Sequence, residues 1–143
     1  MQVFEVMTPD VVSVGPEATL MEAAQAMKDL DVGPLPICEG DSLIGVITDR
    51  DITVRATARG FDPRTTEVRQ VMTPDIVFCR EGDDVRQAAR LMQDAQLRRL
   101  LVVNPKGRLV GIVSLGDIAL QAGQDELTGQ TLEKVSEPVP PRD

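Results

Sequence analysis

Val6-Met7-Thr8-Pro9-Asp10-Val11-Val12 returns 65 residues later as Val71-Met72-Thr73-Pro74-Asp75-Ile76-Val77, and this doubling decides the fold. The register holds on moving outward. Ala23-Ala24 and Met27 recur as Ala88-Ala89 and Met92, and Leu35 recurs as Leu100. After one residue inserted in a turn, Gly45-Val46-Ile47-Thr48 and Asp51-Ile52 recur as Gly111-Ile112-Val113-Ser114 and Asp117-Ile118, now at an offset of 66. Self-similarity sustained over a whole unit is the signature of a repeat architecture.

Each copy reads as strand, helix, strand, strand, helix. Val11-Val12-Ser13-Val14 is a short β-branched run that Gly15-Pro16 ends. Thr19-Leu20-Met21-Glu22 has the pattern of a capping box, and Leu20, Ala23, Ala24 and Met27 fall on one helical stripe. Leu35 to Cys38 and Leu43 to Ile47 are apolar runs joined across Glu39-Gly40-Asp41-Ser42 as a hairpin, with Pro36 favouring an edge position. A second helix is predicted from near Thr48 to Gly60, where glycine suits a left-handed cap. The second copy repeats this with Ile76 to Cys79, Asp84 to about Gln96, Leu100 to Val103, a turn at Asn104-Pro105-Lys106-Gly107, Leu109 to Val113, and Ser114 to about Ala122.

The predicted organisation is therefore a first repeat with its lead-in over 1–62, a second repeat over 63–123, and a polar, Pro-rich tail over 124–143 ending loosely. One half alone would bury little apolar surface, so the copies are expected to pack on each other about a pseudo-twofold axis with related clefts at their seam. The apolar faces of the second helices, Ile52 with Ala56 and Ile118 with Ala122, point to a homodimer.

Composition removes whole classes of function. With no His, Trp or Tyr among 143 residues, His-ligated metal sites, Ser-His-Asp and Cys-His catalysis and aromatic base-stacking platforms lack their essential residues. Fifteen Lys and Arg against 23 Asp and Glu give a net charge of −8, which repels a polyanion and argues against a nucleic-acid partner. No stretch approaches a membrane span and the start lacks a signal peptide's basic and apolar regions, so a cytoplasmic protein without membrane contact is expected. Cys38 and Cys79 have no metal spacing and read as buried free thiols. Cys79, the least implausible nucleophile, has no His to serve as its base, and the expectation is that the chain is not an enzyme.

Both copies share Gly, two aliphatics, Thr or Ser, two residues and Asp, as Gly45…Thr48…Asp51 and Gly111…Ser114…Asp117. Ser or Thr followed three residues on by an acid is a helix-capping pattern. The same groups can serve a ligand, because a helix N-terminus attracts anions and a carboxylate can accept ribose hydroxyls. The glycine would let a flat ring approach the backbone, or equally would mark a strand bulge.

With Val-Met-Thr-Pro at 6–9 and 71–74, the Leu35-Pro36-Ile37 strand and the doubled Gly-to-Asp motif, the chain resembles a tandem pair of CBS motifs, a Bateman module, over roughly Val3 to Ala122. Thr48-Asp49-Arg50-Asp51-Ile52 and Leu97-Arg98-Arg99-Leu100 with Ser114-Leu115-Gly116-Asp117-Ile118 are similar to small stand-alone bacterial members. The resemblance implies an α/β (α+β) fold of two β-α-β-β-α repeats. It also implies a nonenzymatic sensor of adenosine-containing small molecules, AMP, ADP, ATP or S-adenosylmethionine, with no obligatory cofactor. Carried over motif by motif, it puts ribose and phosphate at Thr48 with Asp51 and at Ser114 with Asp117, and adenine near Val12 and Val77. Phosphate would fall to Arg98 and Arg99, while Arg50, Arg55 and Arg59 read as surface charge, Arg50 being the first exception to consider.

Gly33-Pro34 stands where the second copy has Arg98-Arg99, so the two clefts are expected to differ, a nucleotide at Asp51 meeting the arginines and one at Asp117 meeting Gly33-Pro34. Leu101 replaces Pro36, a change expected to affect strand geometry. With no catalytic domain on the chain, a regulatory signal would pass to a separate effector protein or to the other subunit of a homodimer. The alternative is a structural or interaction module whose Thr/Ser-x-x-Asp motifs are helix caps and nothing more.

Overall fold

The computed structural model describes residues 1–121 and 125–138 and has a mixed α/β architecture. Its packing divides the chain differently from its repeats: Val12–Ile76 forms one compact unit, and Met1–Val11 joins Val77–Asp143 in the other. Each Val-Met-Thr-Pro stretch thus packs with the copy that does not follow it.

In the discontinuous unit, strands β1 (Thr8–Pro9), β4 (Phe78–Arg80), β5 (Arg99–Val103) and β6 (Leu109–Ser114) form a sheet in the order β1-β6-β5-β4. The Asn104 side chain closes the β5–β6 turn by accepting from the N–H groups of Lys106 and Arg108 at 3.0 Å each. Helix α3 (Val85–Ala95), capped by Asp84, and helix α4 (Leu115–Gln121) pack on the sheet. Their core is built on Val85, Ala88, Met92, Leu100, Val102, Val113 and Ile118.

The contiguous unit repeats the plan. Helix α1 (Leu20–Leu30) has the predicted capping box of Thr19 with Glu22, and β2 (Pro34–Glu39) pairs with β3 (Ser42–Thr48) as the predicted hairpin. Leu20, Ala23, Leu35, Ile37 and Ile47 are buried among them. The second helix begins as α2 (Asp49–Asp51), widens into a π turn over Ile52–Ala56, tightens into a 3-10 turn over Thr57–Arg59, and ends on Gly60 with φ +77°.

Here the outer strands shrink to single bridges, Val14 to Ile37 and Val46 to Thr73. Proline explains the first. Leu101 pairs with Phe78 in a three-residue parallel ladder, whereas Pro36 has no N–H to offer a strand on that side. The strand predicted over Val11 to Val14 is accordingly reduced to Val14, and β2 stands at the edge of a two-stranded sheet.

Two further expectations are corrected. The tail predicted from residue 124 contains an eleven-residue helix, α5 (Asp125–Val135), packed on α3 and α4; the predicted loose end beyond residue 138, and Ala122, lie outside the described residues. The helix faces held out for a dimer contact are also already used. Ala56 is 1% exposed, Ile118 is fully buried, and Ile52 packs on its own unit's core. Among the described residues, no helix is long and apolar enough to cross a membrane.

Candidate functional site

The repeated glycine is explained by the repeated methionine. A Cβ on Gly111 would lie 2.6 Å from Met7 Sδ and 2.9 Å from the Thr8 carbonyl oxygen; on Gly45 it would lie 2.7 Å from Met72 Sδ and 3.2 Å from the Thr73 carbonyl oxygen. The thioether therefore fills the space that the sequence reading offered to a flat ring. Both glycines also sit where the hairpin slips register, opposite Ile37 and Val102, so the bulge reading holds.

Just beyond each glycine the strand runs into a helix, and the motif closes on itself. In one unit the Asp51 N–H donates to Thr48 Oγ1 at 3.0 Å and the Thr48 N–H to Asp51 Oδ2 at 3.0 Å. In the other, the Asp117 N–H donates to Ser114 Oγ at 3.0 Å and the Ser114 N–H to Asp117 Oδ2 at 2.8 Å. These are complete capping boxes. Each employs one carboxylate oxygen, and Oδ1 of Asp51 and of Asp117 receives no hydrogen bond among the described residues.

The residues that open each hairpin set the charge of the corner. Arg99 pairs in register with Ser114, and the Leu115 N–H donates to the Arg98 carbonyl at 2.9 Å. Arg98, Arg99, Ser114, Leu115 and Gly116 consequently line one cleft of ≈ 420 Å³, which Ala119 and Leu132 complete. That volume lies within the range of small-molecule sites. Val77 immediately precedes β4, the neighbour of β5, and packs against this unit's core.

The other unit has the same backbone contact, Asp49 N–H to the Gly33 carbonyl at 3.1 Å, with opposite chemistry. Gly33 stands where the second copy has Arg98, and the Asp49 carboxylate lies against it, its Oδ1 3.2 Å from where a Gly33 Cβ would stand. The Arg50 N–H also donates to Asp49 Oδ1, at 2.9 Å, while Arg50 itself is exposed. Two guanidinium groups and one carboxylate at Arg98, Arg99 and Asp117 sum to +1; Asp49, Arg50 and Asp51 sum to −1. Val12, the adenine candidate of this unit, is 49% exposed. Arg55, read as surface charge, is exposed and also donates from Nη1 to the carbonyls of Val71 at 3.1 Å and Met72 at 3.5 Å, holding the stretch that seats Met72.

The thiols are free and buried, as expected. Burial foremost, with the Asp83 carboxylate adding to it, pushes Cys79 up to about 12, and burial also raises Cys38. A thiol so protonated at neutral pH is a poor nucleophile. Among the described residues no group of three or more Cys, Asp and Glu side chains could hold a metal ion.

The model of the CBS domain family matches residues 3–56 and 68–121. The CBS domain-containing protein YhcV of Bacillus subtilis is 40% identical over 132 residues, 92% of this chain and 93% of that protein. The crystal structure of Hypoxic Response Protein I with two coordinated zinc ions superposes with a TM-score of 0.77 at 36% identity, over 85% of this chain and 98% of that one. The CBS domain protein PAE2072 from Pyrobaculum aerophilum, complexed with AMP, superposes with a TM-score of 0.76 at 27% identity, over 90% of this chain and 99% of that one. The chain belongs to the CBS domain family, as two copies in tandem.

Proposed function

We propose that the protein is a nonenzymatic regulatory module that binds an adenine nucleotide, and that its principal site is the cleft of Arg98, Arg99 and Ser114. The observation that carries this reading is the cleft that Arg98 and Arg99 line together with Ser114, at the start of a helix whose Asp117 retains an uncommitted carboxylate oxygen. The arginines supply charge-assisted, bidentate-capable donors to phosphate, and Asp117 Oδ1 accepts from a ribose hydroxyl. Val77 borders the adenine. A relative complexed with AMP supports the ligand class. ADP, ATP and S-adenosylmethionine are the other candidates, and the negative corner at Thr48, Arg50 and Asp51 favours a ligand without phosphate, such as adenosine.

Binding regulates only if the ligand prefers one of two states, which calls for a separate effector protein or a homodimer partner in the cytoplasm. Val54 and Leu120, at corresponding places on the two second helices, are 49% and 88% exposed and favour a homodimer through those faces. Light scattering should then give twice the chain mass, and Leu120→Glu should give one.

A second reading has its own support: both Thr/Ser-x-x-Asp motifs make full capping boxes, so they serve the fold whether or not a ligand binds. Calorimetry with AMP, ADP, ATP and adenosine separates the two. Saturable AMP binding with weaker adenosine binding is expected; no heat and no thermal shift with any of the four would leave the capping role alone. Without Trp or Tyr the protein scarcely absorbs at 280 nm, so adenine retained through purification would show near 260 nm.

A further inference from the structure

Helix α5 lies beyond the residues 68–121 that the second CBS copy matches, yet it reaches the candidate cleft. Leu127, Thr131 and Val135 recur every four residues and form its inner face: Leu127 and Val135 pack on the core, and Thr131 is fully buried. Thr131 Oγ1 accepts from Gln93 Nε2 of α3 at 2.9 Å and donates to the Leu127 carbonyl at 2.7 Å, so its polar atom is satisfied and the helix is fixed in rotation. Gln96 Nε2 adds bonds to the carbonyls of Lys134 at 3.4 Å and Glu137 at 3.2 Å, holding the far end.

Leu132 stands one position, about 100° around the helix, from the buried Thr131. It remains 45% exposed and lines the cleft with Ala119, Leu115 and the two arginines. An apolar side chain held by a pinned helix in a cleft that two arginines also line gives that cleft both cationic and apolar lining residues. The first copy has no counterpart: its second helix ends at Gly60 and the chain leads on to the Pro63 turn.

Resting on the nucleotide reading above, we infer that Leu132 is a specificity-determining residue of this cleft. Its side chain packs against the base or ribose face of a nucleotide whose phosphate is held by Arg98 and Arg99, so that occupancy and the docking of α5 stabilise each other. A ligand that is phosphate alone would gain nothing from α5.

Titrations of AMP and of inorganic phosphate into the full chain and into Leu132→Ala and Leu132→Met test this, with amide hydrogen exchange of α5 followed in the parent. The expected result is that Leu132→Ala weakens AMP about 5- to 10-fold, leaves phosphate unchanged and keeps the unfolding temperature, that Leu132→Met binds AMP like the parent, and that AMP slows exchange over Leu127 to Val135. AMP binding equal in the parent and Leu132→Ala, or equal losses for AMP and phosphate, would overturn the role of Leu132 while leaving the nucleotide reading intact. No AMP binding by the parent would overturn both.

Discussion

At the start of α2 the chain presents Asp49, Arg50 and Asp51 beside Gly33, whereas at the start of α4 it presents Leu115, Gly116 and Asp117 beside Arg98 and Arg99. The backbone is the same at both corners: a strand carbonyl accepts from the first helical N–H, and a Thr or Ser closes a capping box with the Asp three residues on. The two corners thus share their backbone and their capping boxes and differ in charge. Tests on the caps should read out stability, and tests on the differing charges should read out the proposed ligand.

The largest effect is expected from the differing charges. Replacing Arg98 and Arg99 together by Ala should weaken AMP at least about 100-fold, since each charge-assisted bond is worth roughly 1.5–3 kcal/mol, with adenosine changed little and the salt dependence of AMP binding flattened. Arg50→Ala should leave AMP affinity within about twofold. Calorimetry at two salt concentrations reads both, and equal losses for the two variants would erase the distinction between the corners.

Cys79 and Val14 occupy corresponding bridges, to Val102 and Ile37, and supply the next test. The Cys79 thiol, ordinarily near 9.0, is pushed to about 12 in the fold. A folded pKa above the unfolded one means that stability is complete below pH 9 and is lost as pH rises toward 12, by roughly 1.4 kcal/mol per pH unit. Urea titrations from pH 8 to 11 should show this decline, and Cys79→Val, which copies the other unit, should remove most of it.

Glycine substitutions should rank the two units by fit. Gly111→Ala brings a methyl within 2.9 Å of the Thr8 carbonyl and should cost about 1–3 kcal/mol; Gly45→Ala, at 3.2 Å from the Thr73 carbonyl, should cost less. The methionine sulfurs, at 2.6 Å for Gly111 and 2.7 Å for Gly45, follow the same order, so the reverse order in urea denaturation would contradict this ranking.

The capping acids should separate the corners last. Asp51→Ala and Asp117→Ala are each expected to lose about 0.5–2 kcal/mol of stability as caps, while Asp117→Ala alone weakens AMP. Equal AMP affinity in the two variants would assign both acids to the fold.

How much of this is legible in the sequence depends on the range of the interaction. Capping boxes, the hairpin turn at Gly40, the left-handed end at Gly60 and the α1 stripe are local, and the expected residues carry them, except that Ala24 of the stripe is exposed. Partners distant in sequence are another matter: nothing near Gly111 announces Met7, so the glycine reads as room for a ligand. The first strand was expected from its β-branched residues and failed because Pro36, across the sheet, offers no N–H. Helix α5 has few apolar residues, Leu127, Leu132 and Val135, and holds Gly129 and Thr131, so its helical period is faint until Gln93 supplies a partner. The arginines read from their type as phosphate candidates for a nucleotide at Asp51, whereas the β5–β6 register sets them in the cleft beside Ser114.

The central claim, that a nucleotide enters first at the arginine corner, is tested most directly by titrating AMP into the isotopically labelled protein and following backbone amide shifts. The account predicts that Arg98, Arg99 and Leu115 to Asp117 shift together, saturating at lower AMP than Gly33 and Asp49 to Asp51. Earlier saturation at Gly33 and Asp49 to Asp51, or no shift at Arg98 and Arg99, would contradict it.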